Sequence, residues 1–338
     1  MATLRVILSA LSACGAAAAS NCTDDFAALR EADAFIPTQG QGGQMSAVSL
    51  GADGAACAED GYKSSGLEAS FAQDPLKLTK DKQTLCKALA SESDLWLGMN
   101  MNEVTEKGDQ QDPFSKICRR LVLLTQDPWQ LPQQIEPLAG ILRDPRMMCQ
   151  AADHSVLFSI DWLVLADSKS HPQRPNSRRI LFDAGGSRFG DATKFFVTKY
   201  AERGLTFDEV YVWEAQKQNE ASYWEGTPAD LRQAWEPKLT FYNGVPVTAE
   251  PGSADNPEMC GADDFCAFKL DIDTPKVEFP IVQQLVQDPG NLKEFFFEHH
   301  VHGLMEQFWG KEVNGTFADS YEIFSALRRK GVRAHSWI

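Results

Sequence analysis

Arg179-Ile180-Leu181-Phe182-Asp183, running on through Ala184-Gly185-Gly186-Ser187-Arg188-Phe189-Gly190, decides the fold. A short apolar strand ends on an acid, turns through glycines, and enters a stretch, Thr193 to Tyr200, whose apolar spacing is helical. The same order then recurs. Glu209-Val210-Tyr211-Val212-Trp213 ends at Glu214, with a helix expected from Ala221 to Trp235. A third strand lies within Thr240 to Val247, cut short by Gly244 and Pro246. Phe265 to Leu270 ends at Asp271-Ile272-Asp273 and precedes a helix over Glu278 to Val286. Glu294 to Phe297 leads into Glu298-His299-His300-Val301-His302, Phe317 to Arg329 reads as helix, and Val332 to Trp337 as a terminal strand. Repeated strand-to-helix crossovers predict an α/β fold, a Rossmann-like three-layer sheet over residues 176–338 with polar residues gathered at the strand C-termini.

The preceding part reads differently. Residues 21–175 are expected to be mainly helical, with helices over Leu76–Leu97, Phe114–Leu124 and Val156–Leu165 and a linker from Ser170 to Ser177. Residues 1–20 place Arg5 before Val6 to Leu11 and the small run Ala16 to Ser20, the order of a secretory signal, with organellar targeting as the alternative. No later run supplies the about twenty apolar residues a membrane span requires. With Cys14 in the leader, an odd number of the eight cysteines is left; Cys260 and Cys266 are near enough to pair in an oxidising compartment. Asn21 and Asn314 head glycosylation sequons.

A net charge of -15 from 32 basic and 47 acidic residues, with no long basic stripe, disfavours a nucleic-acid partner, whose binding rests on concentrated Lys and Arg. The 43% hydrophobic content suffices for a sizeable core.

Chemistry concentrates at the strand ends. Gly185, Gly186 and Gly190 permit close backbone approach beside a helix N-terminus, and Asp183 can orient that turn, a combination suited to a nucleotide-like cofactor. GxGxxG and GxxxxGK[ST] are both absent, which argues against NAD and P-loop chemistry. Glu214, one crossover later, can accept two ribose hydroxyls. Asp271 and Asp273 alternate after the fourth strand and can divide acid and base roles or hold a divalent metal ion. Glu298, His300 and His302 extend that candidate ligand set, and His299 joins Asp271 and Asp273 as a candidate proton acceptor. His299 and His300 point differently in an extended strand, so both need not reach one ion. Lys269 can position a carboxylate. The bland alternative for each is a solvated or structural loop residue.

Leu181-Phe182-Asp183-Ala184-Gly185-Gly186, Glu214 and Lys269-Leu270-Asp271-Ile272-Asp273, in that order, resemble the FkbM-like branch of class I S-adenosylmethionine-dependent methyltransferases. The resemblance covers residues 178–338 and is closest to algal and microbial eukaryotic members. It implies a seven-strand methyltransferase-type sheet, S-adenosylmethionine at Asp183 to Gly190 with its ribose near Glu214, and methyl transfer to an oxygen of a small-molecule or carbohydrate acceptor. Two other readings stay open: a metal-dependent hydrolase or lyase, and a noncatalytic extracellular binding protein.

Overall fold

The computed structural model describes residues 61–65, 68–69, 114–117, 133–138, 160, 162–249, 260–302, 313 and 315–338. The expected leader over residues 1–20, both sequon asparagines and the expected helix over Leu76–Leu97 lie outside them.

A six-stranded sheet carries the fold. Its strands are β4 (Arg179–Ala184), β5 (Glu209–Glu214), β6 (Leu239–Asn243), β7 (Phe265–Leu270), β8 (Glu294–Phe297) and β9 (Arg333–Ser336). They lie in the order β6-β5-β4-β7-β8-β9, and every neighbouring pair is parallel. Such a sheet is buried on both sides, which explains why β4 and β7 are buried at every position. Helices α1 (Lys194–Glu202), α2 (Glu220–Tyr223) and α3 (Ala229–Trp235) pack with Leu181, Val212 and Ala267 on one face. Helices α4 (Pro275–Gln287) and α5 (Phe317–Arg329) pack with Ile180, Phe182, Phe268 and Phe297 on the other. The arrangement is Rossmann-like. Winding starts at β4, runs outward through β5 and β6, then returns to β7 on the opposite side, so the topological switch lies between β4 and β7. Six strands are described where the methyltransferase resemblance implies seven.

Several element boundaries move for local reasons. The expected helix from Ala221 to Trp235 divides into α2 and α3, because Gly226 takes a φ of 73° and Pro228 follows two residues later. Ser115–Ile117 is strand β2, not helix: Ser115 and Ile117 are buried while Lys116 is half-buried, the period of two of a strand. It pairs antiparallel with β1 (Tyr62–Lys63) and β3 (Gln133–Ile135). Trp162 to Ala166, whose first four residues fall in the helix expected over Val156–Leu165, is a buried irregular segment in the same core cluster as α1 and β5.

Burying that segment requires partners for its backbone, and charged side chains supply them. Glu136 accepts from the Val164 amide at 3.0 Å, Glu294 from the Ala166 amide at 3.0 Å, and Arg203 donates to the Ala166 carbonyl at 3.0 Å. Arg333 donates to the Val164 carbonyl and lies 3.2 Å from Glu294. His335 joins both glutamates, with Nδ1 2.8 Å from Glu136 and Nε2 2.9 Å from Glu294. Arg328 of α5 pairs with Glu136 at 2.8 Å and bonds the Ala334 carbonyl, so the network encloses β9.

Burial alone would push the Glu294 carboxyl up, but His335 and Arg333 hold it down to about 2 from an ordinary 4.5; Glu136 is likewise lowered against its burial by His335 and Arg328. A depressed native pKa adds stability that is complete above the unfolded value and is lost as pH falls through the native one. The denaturant midpoint is therefore expected to fall between about pH 4.5 and 2, and Glu294→Gln to cost about 3–5 kcal/mol at neutral pH while flattening that acid limb. Chemical denaturation across this range checks both; an unchanged limb in the variant contradicts the assignment.

Candidate metal centre

The alternation of β4 and β7 places Asp183 and Lys269 on the same face, directly opposite one another in the sheet register. Both are buried, at 0% and 2% exposure. The Lys269 Nζ lies 3.0 Å from Asp271 Oδ2 and 3.4 Å from Asp183 Oδ1, and reaches the carbonyls of Ala184, Gly185 and Asp271 at 3.3, 3.4 and 3.4 Å. Asp183 Oδ1 accepts no hydrogen bond, its counter-charge being that ammonium; Oδ2 accepts from Thr193 Oγ1 at 2.7 Å, which meets the Tyr223 hydroxyl at 3.1 Å. Burial would lower the lysine's pKa, yet Asp183 and Asp271 raise it above its ordinary value, so it remains an ammonium.

Beyond this pair the chain turns outward. Asp273 has a φ of 52°, the left-handed region, in the turn that leads to Pro275 at the start of α4. Glu298 and His300 follow β8 on the next strand end. One ligand atom from each of Asp273, Glu298 and His300 lies within 4.8 Å of the others. His300 Nε2 is 3.2 Å from Glu298 Oε2 and 3.7 Å from Asp273 Oδ1. Exposure grades across the trio, His300 3%, Glu298 12% and Asp273 83%, so the group opens to solvent on the Asp273 side. Two further carboxyls adjoin it. Burial pushes Asp271 up to about 6, with Lys269 opposing and Glu298 adding to the shift. Burial also pushes Glu278 up to about 7, against the hydrogen bond it accepts from the Ile272 amide at 2.8 Å. Glu278 carries no motif; its signal in the sequence is an acid in the first turn of α4 on the apolar face.

The other candidates fall elsewhere. His299 is buried between Phe279 and Phe297, at ring separations of 5.0 and 5.5 Å, with Nδ1 2.6 Å from Ser320 Oγ. It lies outside the trio, as does the exposed His302. Asp271 adjoins the trio and is held by Lys269.

On the β5 side, Ser187 donates to Glu214 and the Gln216 amide donates to its other oxygen at 2.7 Å, so the glycine turn and Glu214 are neighbours. The two glycines serve internal packing. Their amides both donate to the Trp213 carbonyl, at 2.9 and 3.1 Å. A Cβ on Gly185, whose φ is 89°, would lie 1.7 Å from the Asp271 carbonyl oxygen, and one on Gly186 2.3 Å from Val212. A Cβ on Gly190 would meet nothing within 4 Å. Glu214 thus lies beside the glycine turn, while the Gly185 and Gly186 amides are already engaged. Cys260 and Cys266 form a disulfide with Cα atoms 6.3 Å apart, tethering the start of β7. Among the described residues no helix is long and apolar enough to cross a membrane.

Gly185→Ala is expected to destabilise the protein by at least about 1–3 kcal/mol, since it combines left-handed strain with a clash against backbone. Gly190→Ala should shift stability by less than about 1 kcal/mol. Thermal melts compare the two; equal effects contradict the packing described here. In comparisons with known proteins, no family model, no curated protein and no solved structure matches this chain.

Proposed function

We propose that the protein is a divalent-metal-dependent enzyme of the hydrolase or lyase class, working at the C-terminal edge of the sheet. The observation that carries this reading is the Asp273, Glu298 and His300 group, two carboxylates and one imidazole with ligand atoms mutually within 4.8 Å. Mixed nitrogen and oxygen donors suit first-row divalent ions, and three protein ligands leave coordination positions for water or substrate. A cation held there would supply Lewis acidity. Glu298 and His300 are fixed by burial, whereas Asp273 projects to solvent and can close onto an ion. Asp271, oriented by Lys269 at 3.0 Å, is placed to accept a proton from a water or substrate hydroxyl entering from the open side. The Cys260–Cys266 disulfide supports residence in an oxidising compartment, in keeping with the secretory signal expected over residues 1–20.

After chelation and dialysis the protein is expected to take up one equivalent of Mn²⁺ or Zn²⁺. His300→Ala and Glu298→Gln should each weaken that binding at least about tenfold, since even residues that only support a ligand cost 10–100-fold. Elemental analysis and calorimetry provide the measurement. Uptake unaffected by either substitution argues against the site.

A second reading is methyl transfer from S-adenosylmethionine to an oxygen of a small molecule or carbohydrate. It is favoured by Asp183 and Glu214 at the ends of adjoining strands, with Ser187 linking the glycine turn to Glu214. Calorimetry with S-adenosylmethionine tests it. Saturable binding that Glu214→Gln weakens supports methyl transfer; no binding at high micromolar ligand ends that reading and leaves the metal reading standing.

A further inference from the structure

The geometry points to Lys269 as a built-in cation that keeps Asp271 out of the metal's ligand set and so leaves the metal site open. This rests on the metal reading above and adds what sets the number of protein ligands.

Three observations carry it. First, the ammonium is enclosed by five oxygens, two from carboxylates and three from carbonyls. It has only three N–H donors, so no hydrogen remains for a ligand outside that cradle. Second, it cannot swing away, since Asp183 is fully buried in register beside it and would be left as an uncompensated charge in the core. Third, Asp271 stands two residues before Asp273 and interacts electrostatically with both Glu298 and Asp273, yet it is absent from the group whose ligand atoms converge. Its Oδ2 is anchored on Lys269 at 3.0 Å instead.

A metal bound by Asp273, Glu298 and His300 therefore keeps positions for water and substrate, the arrangement that distinguishes catalytic from closed structural sites. Removing the ammonium together with its Asp183 counter-charge leaves the local charge unchanged but releases a carboxylate two residues from an existing ligand. Lys269 is thus a positioning residue whose loss is expected to tighten metal binding. A lysine serving only as a structural brace predicts the opposite, since loosening the turn weakens the site.

The probe is Mn²⁺, titrated by electron paramagnetic resonance into the full chain, with water-proton relaxation reporting the waters on the bound ion. Lys269→Met is paired with Asp183→Asn so that no bare charge is left in the core, and circular dichroism checks folding. The double variant is expected to bind Mn²⁺ at least about tenfold more tightly, with lower relaxation enhancement per bound ion, and adding Asp271→Asn should return affinity to near that of the unaltered chain. Asp271→Asn alone, with Lys269 in place, should change affinity less than about threefold, which keeps the inference testable should the double variant fail to fold. Unchanged or weaker binding in the folded double variant, a gain that survives Asp271→Asn, or a large loss in Asp271→Asn alone overturns the role assigned to Lys269. No binding to the unaltered chain overturns the metal reading itself, and this inference with it.

Discussion

The C-terminal edge of the sheet depends on one buried ion pair at the point where the sheet changes its direction of winding. Asp183 and Lys269 face each other across β4 and β7, the two strands that separate the halves of the sheet. An ammonium in so dry a place is tolerable only because carboxylates and carbonyls surround it, and those oxygens come from the last residues of β4 and from the turns that leave β4 and β7. The pair therefore fixes more than a charge balance. It brings the glycine turn against the Asp271 carbonyl so closely that Gly185 has no room for a side chain, and from there sets where Asp273 emerges.

Buried charge is used differently at the two ends of the sheet. Around β9 and the beginning of β8, Glu136, Glu294, Arg328, Arg333 and His335 compensate one another and satisfy the backbone of the irregular Trp162–Ala166 segment. That network is closed, and its chemistry is structural. At the C-terminal edge, by contrast, acids outnumber cations: Asp271, Asp273, Glu278 and Glu298 crowd around His300, with Lys269 already committed to Asp183 and Asp271. Burial pushes Asp271 and Glu278 up, and the neighbouring Glu298 carboxylate adds to both shifts. A divalent cation is the simplest way to relieve this crowding.

Most of the sheet was legible because strand, acid-ending turn and helix recur with unbroken apolar runs, as in Arg179–Asp183 and Phe265–Leu270. The site was legible as a set and not as a geometry. Asp273, Glu298 and His300 were all recognisable, but so were His299 and His302, and the choice among them depends on how the chain leaves β8. His299 turns into the core because Phe279, Phe297 and Ser320 await it there, contacts made by α4 and α5 that no local pattern announces. The first half was harder for a related reason. Strands of two or three residues, paired between segments as distant as Tyr62 and Ile117, are too short to establish a period. Trp162–Ala166 is apolar at every position since it is enclosed on all sides, and a run of that kind reads equally as helix.

The most direct measurement is anomalous diffraction from crystals equilibrated with Mn²⁺ or Zn²⁺. The account predicts a single strong peak bounded by Asp273, Glu298 and His300, with Asp271 still turned to Lys269. Crystals at saturating metal that show no peak there, with His300 still hydrogen-bonded to Glu298, would contradict it.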